Sequence, residues 1–162
     1  MRLFLLSFVL VGFVPFPQDV GTSKDELVIA ELAKHQGVWG TTKFEHEGQK
    51  GADDVVKSIT REVTGDHVVW KRDGKPFSGS TITVDPKSIP KSLNVIPDGG
   101  QSRDKVVLGI YKLEGDTLTI CMAEPGLDRP KEFKAPKDSH QTLMTLRRLP
   151  NPPPGPRKRP RP

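Results

Sequence analysis

Four histidines and one cysteine are the residues of this sequence best suited to metal or nucleophilic chemistry. The histidines His35, His46, His67 and His140 lie in four different segments, and no two have the i, i+2 or i, i+4 spacing of paired ligands. A metal site needs converging ligands, and Cys121 has no second thiolate with which to bind zinc. We therefore predict no metal and no cofactor, and we expect solvated or turn histidines. A histidine cluster that forms only on folding is the alternative.

The sequence lacks the short motifs of covalent catalysis and phosphate binding. Phe77-Ser-Gly-Ser-Thr81 does not have the Gly-x-Ser-x-Gly spacing, and no glycine precedes Gly74-Lys75 at the distance that a phosphate loop requires. Asp53 and Asp54 are interpreted as solvated charges. Cys121 is interpreted as a small packed residue, because unpaired cysteines are commonly buried, rather than as a reactive thiol or an intermolecular bridge. We predict a protein without catalytic residues that is not an enzyme.

The beginning of the chain has the composition of a secretory signal. Met1 and Arg2 precede an apolar run over residues 3–14, and Pro15 and Pro17 follow it. This run is too short for a stable membrane anchor, so residues 1–21 are predicted to be a signal peptide. We expect an exported protein, periplasmic or extracellular, with no transmembrane segment after the signal is removed.

The other end of the chain is rich in proline and arginine. Seven of the thirteen residues 150–162 are proline, four are basic and none is acidic, so most of the net charge of +5 belongs to this tail. Such a composition predicts disorder. The tail is interpreted as a contact to an anionic component of the cell envelope, as a polyproline docking segment, or as a solvated extension. It has no aromatic residue for base stacking, so no specific nucleic-acid partner is expected.

Residues 22–149 are predicted to form one domain, which is expected to be a monomer. Ser23 and Glu26 form a capping-box pattern that opens a helix extending to about Lys34. No second helical run follows, and short alternating segments with tight turns between them indicate an all-β, antiparallel barrel or sandwich. The eight candidate strands cover residues 38–46, 57–64, 67–72, 77–84, 91–97, 105–113, 117–123 and 141–148.

The clearest of these segments is a hairpin around Glu114-Gly115-Asp116. Its two arms alternate apolar and polar residues, so that each arm has one apolar face. The apolar residues of the two arms are Leu108 and Ile110 in the first and Leu118, Ile120 and Met122 in the second.

Two short motifs favour a closed barrel. Gly37-Val38-Trp39 stands between the helix and the first strand, and Leu146-Arg147-Arg148 ends the last strand. If the sheet closes, these strands are neighbours, and Arg147 or Arg148 can cover the indole of Trp39 in a cation–π contact of about 0.5–2 kcal/mol. The arrangement resembles the Gly-x-Trp motif and terminal arginine of lipocalin-type barrels, in which it plugs the barrel floor.

The order of motifs also resembles a family of secreted lipocalin-like domains of unknown function, abundant in planctomycete bacteria. The resemblance covers approximately residues 32–148, and it implies a small antiparallel eight-stranded barrel and an exported protein without an assigned activity. The motifs that carry it are Gly37-Val38-Trp39, Gly65-Asp66, Val84-Asp85-Pro86, Pro90-Lys91-Ser92-Leu93, the run from Gly109 to Cys121, and Arg129-Pro130-Lys131-Glu132-Phe133.

The long connection before the last strand contains Arg129 and Phe133. One interpretation places it at the barrel rim, with Phe133 closing a mouth and Arg129 binding a ligand anion. The other makes Phe133 an anchor of the loop and pairs Arg129 with Asp116 or Asp128.

These patterns lead to two functional hypotheses. The first is a carrier or sensor that binds a small hydrophobic molecule inside the barrel. The alternative is a ligand-free interaction module of the cell envelope, in which the same apolar residues fill a solid core and the basic tail makes the contact. The candidate ligand-binding residues are Val95, Leu108, Ile110, Leu118, Ile120, Met122, Arg129 and Phe133.

Overall fold

The computed structural model describes residues 23–101, 103 and 105–150. The predicted signal peptide, residues 1–21, lies outside the described residues, as does the predicted tail beyond Pro150. The described elements are α1 (Lys24–His35), β1 (Gly37–His46), β2 (Gln49–Lys50), α2 (Asp53–Ser58), β3 (Ile59–Thr64), β4 (His67–Arg72), β5 (Lys75–Asp85), β6 (Ser92–Pro97), β7 (Val107–Glu114), β8 (Thr117–Ala123) and β9 (Gln141–Arg148).

Eight of these strands close into an antiparallel barrel. From β3 to β9 each strand pairs with its neighbour in sequence, and β1 pairs with β3 on one side and β9 on the other. The short strand β2 only extends the edge of β1. Tight turns join several strands. At Asp73-Gly74 both residues have positive φ, as the type I′ turn of a two-residue hairpin requires. The predicted eight-stranded barrel is confirmed.

Helix α1 lies across one end of the barrel. Its capping box is present: the Ser23 hydroxyl accepts from the Glu26 amide at 3.2 Å, and the Ser23 amide donates to the Glu26 carboxylate at 2.8 Å. Val28 and Leu32 pack against the barrel core. Because those apolar side chains face inward, α1 covers the end of the barrel at which β1 begins.

The short helix α2 was not predicted from the sequence. β1 pairs with β3 only over Gly37–Gly40, and beyond that point the segment of β2 and α2 borders β1 instead. Val56 of α2 is buried there. Asp53 and Asp54, interpreted as solvated charges, lie in the first turn of α2, where acidic groups complement the helix dipole. A helix of six residues is too short to show a periodic apolar stripe, which explains the error.

The hairpin of β7 and β8 has nearly the predicted bounds, but the predicted orientation of one arm is wrong. Tyr111 pairs with Ile120 inside the barrel, whereas Ile110 pairs with Cys121 on the outer face. Leu108, two residues from Ile110, shares that outer face. The prediction that Leu108 and Ile110 line the interior together with the β8 residues is therefore wrong.

The reason is that both faces of this hairpin are buried. The connection over residues 124–140 covers the outer wall, so Ile110 and Cys121 are as inaccessible as the residues inside. When apolar residues occupy both faces, the sequence pattern still indicates a strand, but it does not show which face is the inner one.

Side chains fill the middle of the barrel. The fully buried interior residues come from every strand of the barrel, and Trp39, Leu118 and Leu146 have no exposed surface. The interior cluster consists of Trp39, Val63, Val68, Ile82, Val84, Leu93, Tyr111, Leu118, Ile120, Met144 and Leu146.

Candidate functional site

Trp39 and Arg148, which we call the plug, join α1 to the closed end of the barrel. The Trp39 indole Nε1 donates to the His35 carbonyl at 2.9 Å, and the Arg148 guanidinium lies over the indole face, 4.0 Å from its centre. Arg148 also donates to the carbonyls of Gln36 and Lys34, at 2.6 and 2.7 Å. Of the two candidate arginines, Arg148 thus covers Trp39, while Arg147 is exposed on the opposite face of β9.

A compensated carboxylate lies under α1. Glu31 is 3 % exposed, and it accepts hydrogen bonds from Lys91 at 2.6 Å, Lys34 at 2.8 Å and the Tyr111 hydroxyl at 3.1 Å. Burial alone would raise the pKa of Glu31, but these three donors outweigh burial and lower it to about 2. Glu31 is therefore a carboxylate at neutral pH, and it is bound by two lysine ammonium groups.

His35 is buried beside Tyr111, and no described residue forms a hydrogen bond with its imidazole ring. The imidazole is 1 % exposed and meets the Tyr111 ring edge-on at 4.8 Å, and neither ring nitrogen has a hydrogen-bond partner among the described residues. Burial, and next the positive charge of Arg61, lower the pKa of His35 to about 4, so the ring is neutral at pH 7. The prediction of a solvated or turn histidine is wrong here.

Arg61 points into the barrel without a counter-charge. It lies on β3 between Trp39 of β1 and Trp70 of β4, with which it is in register. The side chain is 2 % exposed, its Nη1 has no hydrogen-bond partner, and no carboxylate of the described residues lies within 4 Å of its guanidinium. Burial lowers the pKa of Arg61 to about 10, which leaves the group charged at pH 7.

Thr41 completes the group. It lies two residues beyond Trp39 on β1, with the same inward orientation, and it is 3 % exposed with no partner for its hydroxyl within the described part of the chain. Buried polar atoms are normally paired, and leaving one unpaired costs about 1–3 kcal/mol. We call His35, Thr41 and Arg61 the inner polar cluster, and we regard it as the candidate site.

Four half-buried apolar side chains lie at the end of the barrel opposite α1. The half-buried residues there pack against the core cluster, and each lies within two residues of the end of its strand. We call this set the mouth. It consists of Phe44, Trp70, Val95 and Met122. Two of the predicted ligand-binding residues, Val95 and Met122, thus belong to the mouth, while Leu118 and Ile120 lie in the filled core.

Arg129 holds the 124–140 connection against the outer wall. Its Nη1 donates to the Leu93 carbonyl at 2.7 Å and to the Gly109 carbonyl, and its Nη2 donates to the Asn94 side chain at 2.6 Å. These bonds use three of the five N–H groups of the guanidinium and hold it against oxygen atoms of the barrel wall. Arg129 thus anchors the connection, and its predicted ligand role stays a prediction. The predicted pair with Asp116 or Asp128 is not found among the described residues, since Asp116 lies beside Arg148 at 3.3 Å.

Phe133 also lies outside the barrel. It is half-buried, and the Lys112 ammonium lies 5.7 Å from the centre of its ring. Lys112 belongs to the outer face of β7, so Phe133 packs on the wall and does not close an end of the barrel. The alternative interpretation, in which Phe133 anchors the loop, describes its position correctly.

Burial of Cys121 leads to a test of its reactivity. The thiol has no exposed surface, donates to the Lys134 carbonyl at 3.2 Å, and has a pKa that burial raises. Because a thiolate is the reactive form, we expect a disulfide reagent to label the folded protein at least about a hundredfold more slowly than the unfolded chain. The control is a Lys131→Cys variant in a Cys121→Ala background, which carries an exposed thiol on the same connection. Equal labelling rates for the two proteins would refute this assignment.

His35 makes stability depend on pH in a defined window. The pKa of His35 is lowered from 6.5 to about 4 on folding, so between these values the unfolded chain binds a proton that the folded chain does not. Stability is therefore lost as pH falls, by about 2 kcal/mol between pH 7 and pH 5. The charged groups that act on the ring are Arg61, Lys91 and Arg148, which lower its pKa, and Glu31, which raises it.

Urea denaturation at the two pH values measures this effect. The His35→Phe variant should lose most of the difference, whereas His67→Gln, a surface histidine bonded to Asp98, should keep it. Glu31 does not contribute in this range, because its shift from 4.5 to about 2 acts at lower pH. An unchanged pH dependence in His35→Phe would contradict the assignment.

The other three histidines lie at the surface. His67 pairs with Asp98 at 2.8 Å, and His140 pairs with Glu47 at 3.0 Å, with His46 nearby at 3.9 Å from the same carboxylate. Within residues 23–101, 103 and 105–150, no group of three or more His, Cys, Asp or Glu side chains is arranged to hold a metal ion. In the same residues, neither helix has the length and apolarity needed to cross a membrane.

A surface groove of about 460 Å³, separate from the inner polar cluster, is another place where a molecule could bind. It lies between α2 and strands β1 and β9, and its lining includes the apolar side chains of Phe44, a mouth residue, and Val56 of α2. Its walls include Lys43, Glu45, Lys50, Asp53, Leu143 and Thr145. Because two lysines and two carboxylates line the groove, its charge favours neither anions nor cations, in contrast to the inner polar cluster.

No family model, curated protein or solved structure matches this chain. The resemblance of residues 32–148 to the secreted lipocalin-like family therefore stays a prediction based on its motifs. Sequence reasoning missed Arg61, Thr41 and His35 as site residues. For Arg61 a signal was present, because it alternates with Ile59 and Val63 on the apolar side of its strand.

Proposed function

We propose that this chain is a ligand-binding barrel without enzymatic activity, which binds a small apolar molecule at the mouth. The observation that supports this function best is the difference between the two ends of the barrel. Trp39, Arg148 and α1 close one end, whereas the apolar side chains at the other end are only half covered. A closed barrel with one plugged end and one apolar opening suits a small ligand.

The filled core limits the size of the ligand. A molecule at the mouth can cover Phe44, Trp70, Val95 and Met122, and the flexible Met122 side chain can adapt to its shape. Burying about 400 Å² of apolar surface contributes about 10 kcal/mol, of which association consumes at least about 4. Dissociation constants of tens of micromolar are therefore expected.

Two further parts of the proposal come from the sequence and from buried groups. The apolar run over residues 3–14 supports export, so the ligand would be met outside the cytoplasm. The inaccessible thiol of Cys121 supports a non-catalytic role for the only cysteine of the chain.

A fluorescence titration tests ligand binding at the mouth. The neutral fluorophore N-phenyl-1-naphthylamine should brighten and saturate on the wild-type protein. Val95→Trp should abolish this signal, because the larger side chain fills the mouth. Ile96→Trp is the matched control, since the adjacent Ile96 faces outward and is 39 % exposed. Circular dichroism verifies that both variants fold.

Two results would contradict the proposal. One is a wild-type protein that gives no saturable signal with the fluorophore or with any member of an apolar set. The other is equal binding by both tryptophan variants, which would place the fluorophore on the outer surface instead of at the mouth.

A further inference from the structure

We propose that the ligand is a monocarboxylic acid, with its carboxylate bound by the inner polar cluster and its apolar part in the mouth. This inference rests on the proposed function and adds the chemical class of the ligand. It follows from three buried side chains, Thr41 and Arg61 on the inner wall and His35 at the end of α1, which have polar atoms that no described residue satisfies.

The charge of the cluster indicates a single negative charge on the ligand. Arg61 is a buried cation with no carboxylate of the described residues within 4 Å of its guanidinium. The buried Glu31 does not serve this role, because Lys34 and Lys91 already bind it. An uncompensated buried charge is strongly unfavourable, and one monoanion would compensate it. A dianion such as phosphate would leave a second charge without a partner.

The donors of the cluster match the acceptors of a carboxylate. Arg61 offers Nη1–H, Thr41 offers a hydroxyl, and the neutral His35 ring offers one N–H. Thr41 is the diagonal cross-strand neighbour of Arg61, and such neighbours are about 7–8 Å apart. A carboxylate group between two such side chains can accept from both, and hydrogen bonds between charged partners are the stronger kind.

The register connects the cluster to the mouth. Trp70, a mouth residue, stands directly opposite Arg61 on the neighbouring strand. Arg61 is two residues from the end of β3 that lies at the mouth, a distance of about 7 Å along the strand. An acid with an apolar part of about six to eight carbons would therefore reach from the cluster to the opening.

Calorimetric titration with octanoate and octanol tests the inference, because the two compounds differ only in their polar group. We expect the wild-type protein to bind octanoate roughly tenfold to a hundredfold more tightly than octanol, as a hydrogen-bonded charge provides. Arg61→Met should remove this preference. Arg147→Met, which removes an exposed arginine, should keep the preference. Thr41→Val, expected to reduce the preference partially, serves as a second variant if Arg61→Met does not fold.

The outcomes separate this inference from the proposed function. If octanol binds as well as octanoate, or if the preference survives in Arg61→Met and Thr41→Val, the cluster holds only ordered water and the inference is overturned. It is also overturned if the neutral fluorophore binds and octanoate does not. In these cases the proposed function stands. If the fluorophore and both octyl compounds all fail to bind, the proposed function fails and the inference with it.

Discussion

Replacing Trp39 by alanine is expected to lower the free energy of unfolding by about 3–5 kcal/mol. The indole is the largest side chain of the interior cluster and has no exposed surface. It packs in the core, donates to the His35 carbonyl and carries the Arg148 guanidinium on its face. The substitution leaves a cavity, an unpaired carbonyl at the end of α1 and an arginine without its aromatic partner.

Urea denaturation of three variants separates these contributions. Trp39→Phe keeps a ring under Arg148 but loses the indole N–H, so a loss of about 1–3 kcal/mol is expected. Trp70→Ala is the matched control, because Trp70 is half-buried at the mouth and makes no contact with the plug residue Arg148 among those described. It should lose less than Trp39→Ala. A loss below about 1 kcal/mol for Trp39→Ala would show that the plug does not hold the barrel end.

The parts of the fold that sequence alone predicts are those specified by short-range signals. The capping box of Ser23 and Glu26 depends on a spacing of three residues, and each of the eight barrel strands has its own alternation and turn. The prediction of the contact between Trp39 and Arg148 required one further assumption, that the first and last strands are neighbours. Once the sheet closes, their register follows.

The errors come from residues whose environment depends on distant segments. Ile110 is buried from outside because Arg129 and its connection cover the wall, and no local pattern of β7 contains that information. On α1 the barrel-facing stripe is Val28, Glu31, Leu32 and His35, which has regular helical spacing. Two of its four members are polar, so a pattern of apolar residues alone does not reveal this stripe.

We expect the inner polar cluster to lower stability, in contrast to the contacts that Trp39 and Arg148 make. Arg148 hydrogen-bonds two carbonyls and covers an indole, so its burial is compensated. Arg61 has no comparable partner for its Nη1 in the described part of the chain, although Val63 on the same strand shows that an apolar side chain fits the inner wall. Burying such a charge costs free energy that an apolar side chain at the same position would not lose.

Arg61→Met is therefore expected to raise the free energy of unfolding by about 1–4 kcal/mol, the range found when apolar residues of similar volume replace buried charges. The physical reason is that methionine removes the cost of desolvating a guanidinium without leaving a cavity. Urea denaturation measures the gain, and Arg147→Met, on the exposed face of β9, should change stability by less than about 0.5 kcal/mol.

The sign of this change decides between two explanations of the buried arginine. If Arg61→Met destabilises the protein by more than about 1 kcal/mol, water or another group already satisfies the guanidinium in the folded barrel, and Arg61 is part of the scaffold. If the variant gains stability and loses the preference for octanoate over octanol, the same charge that weakens the empty barrel strengthens the complex. Only a binding role predicts both changes together, because removal of a purely structural arginine, even with a gain in stability, would not alter the preference for octanoate over octanol.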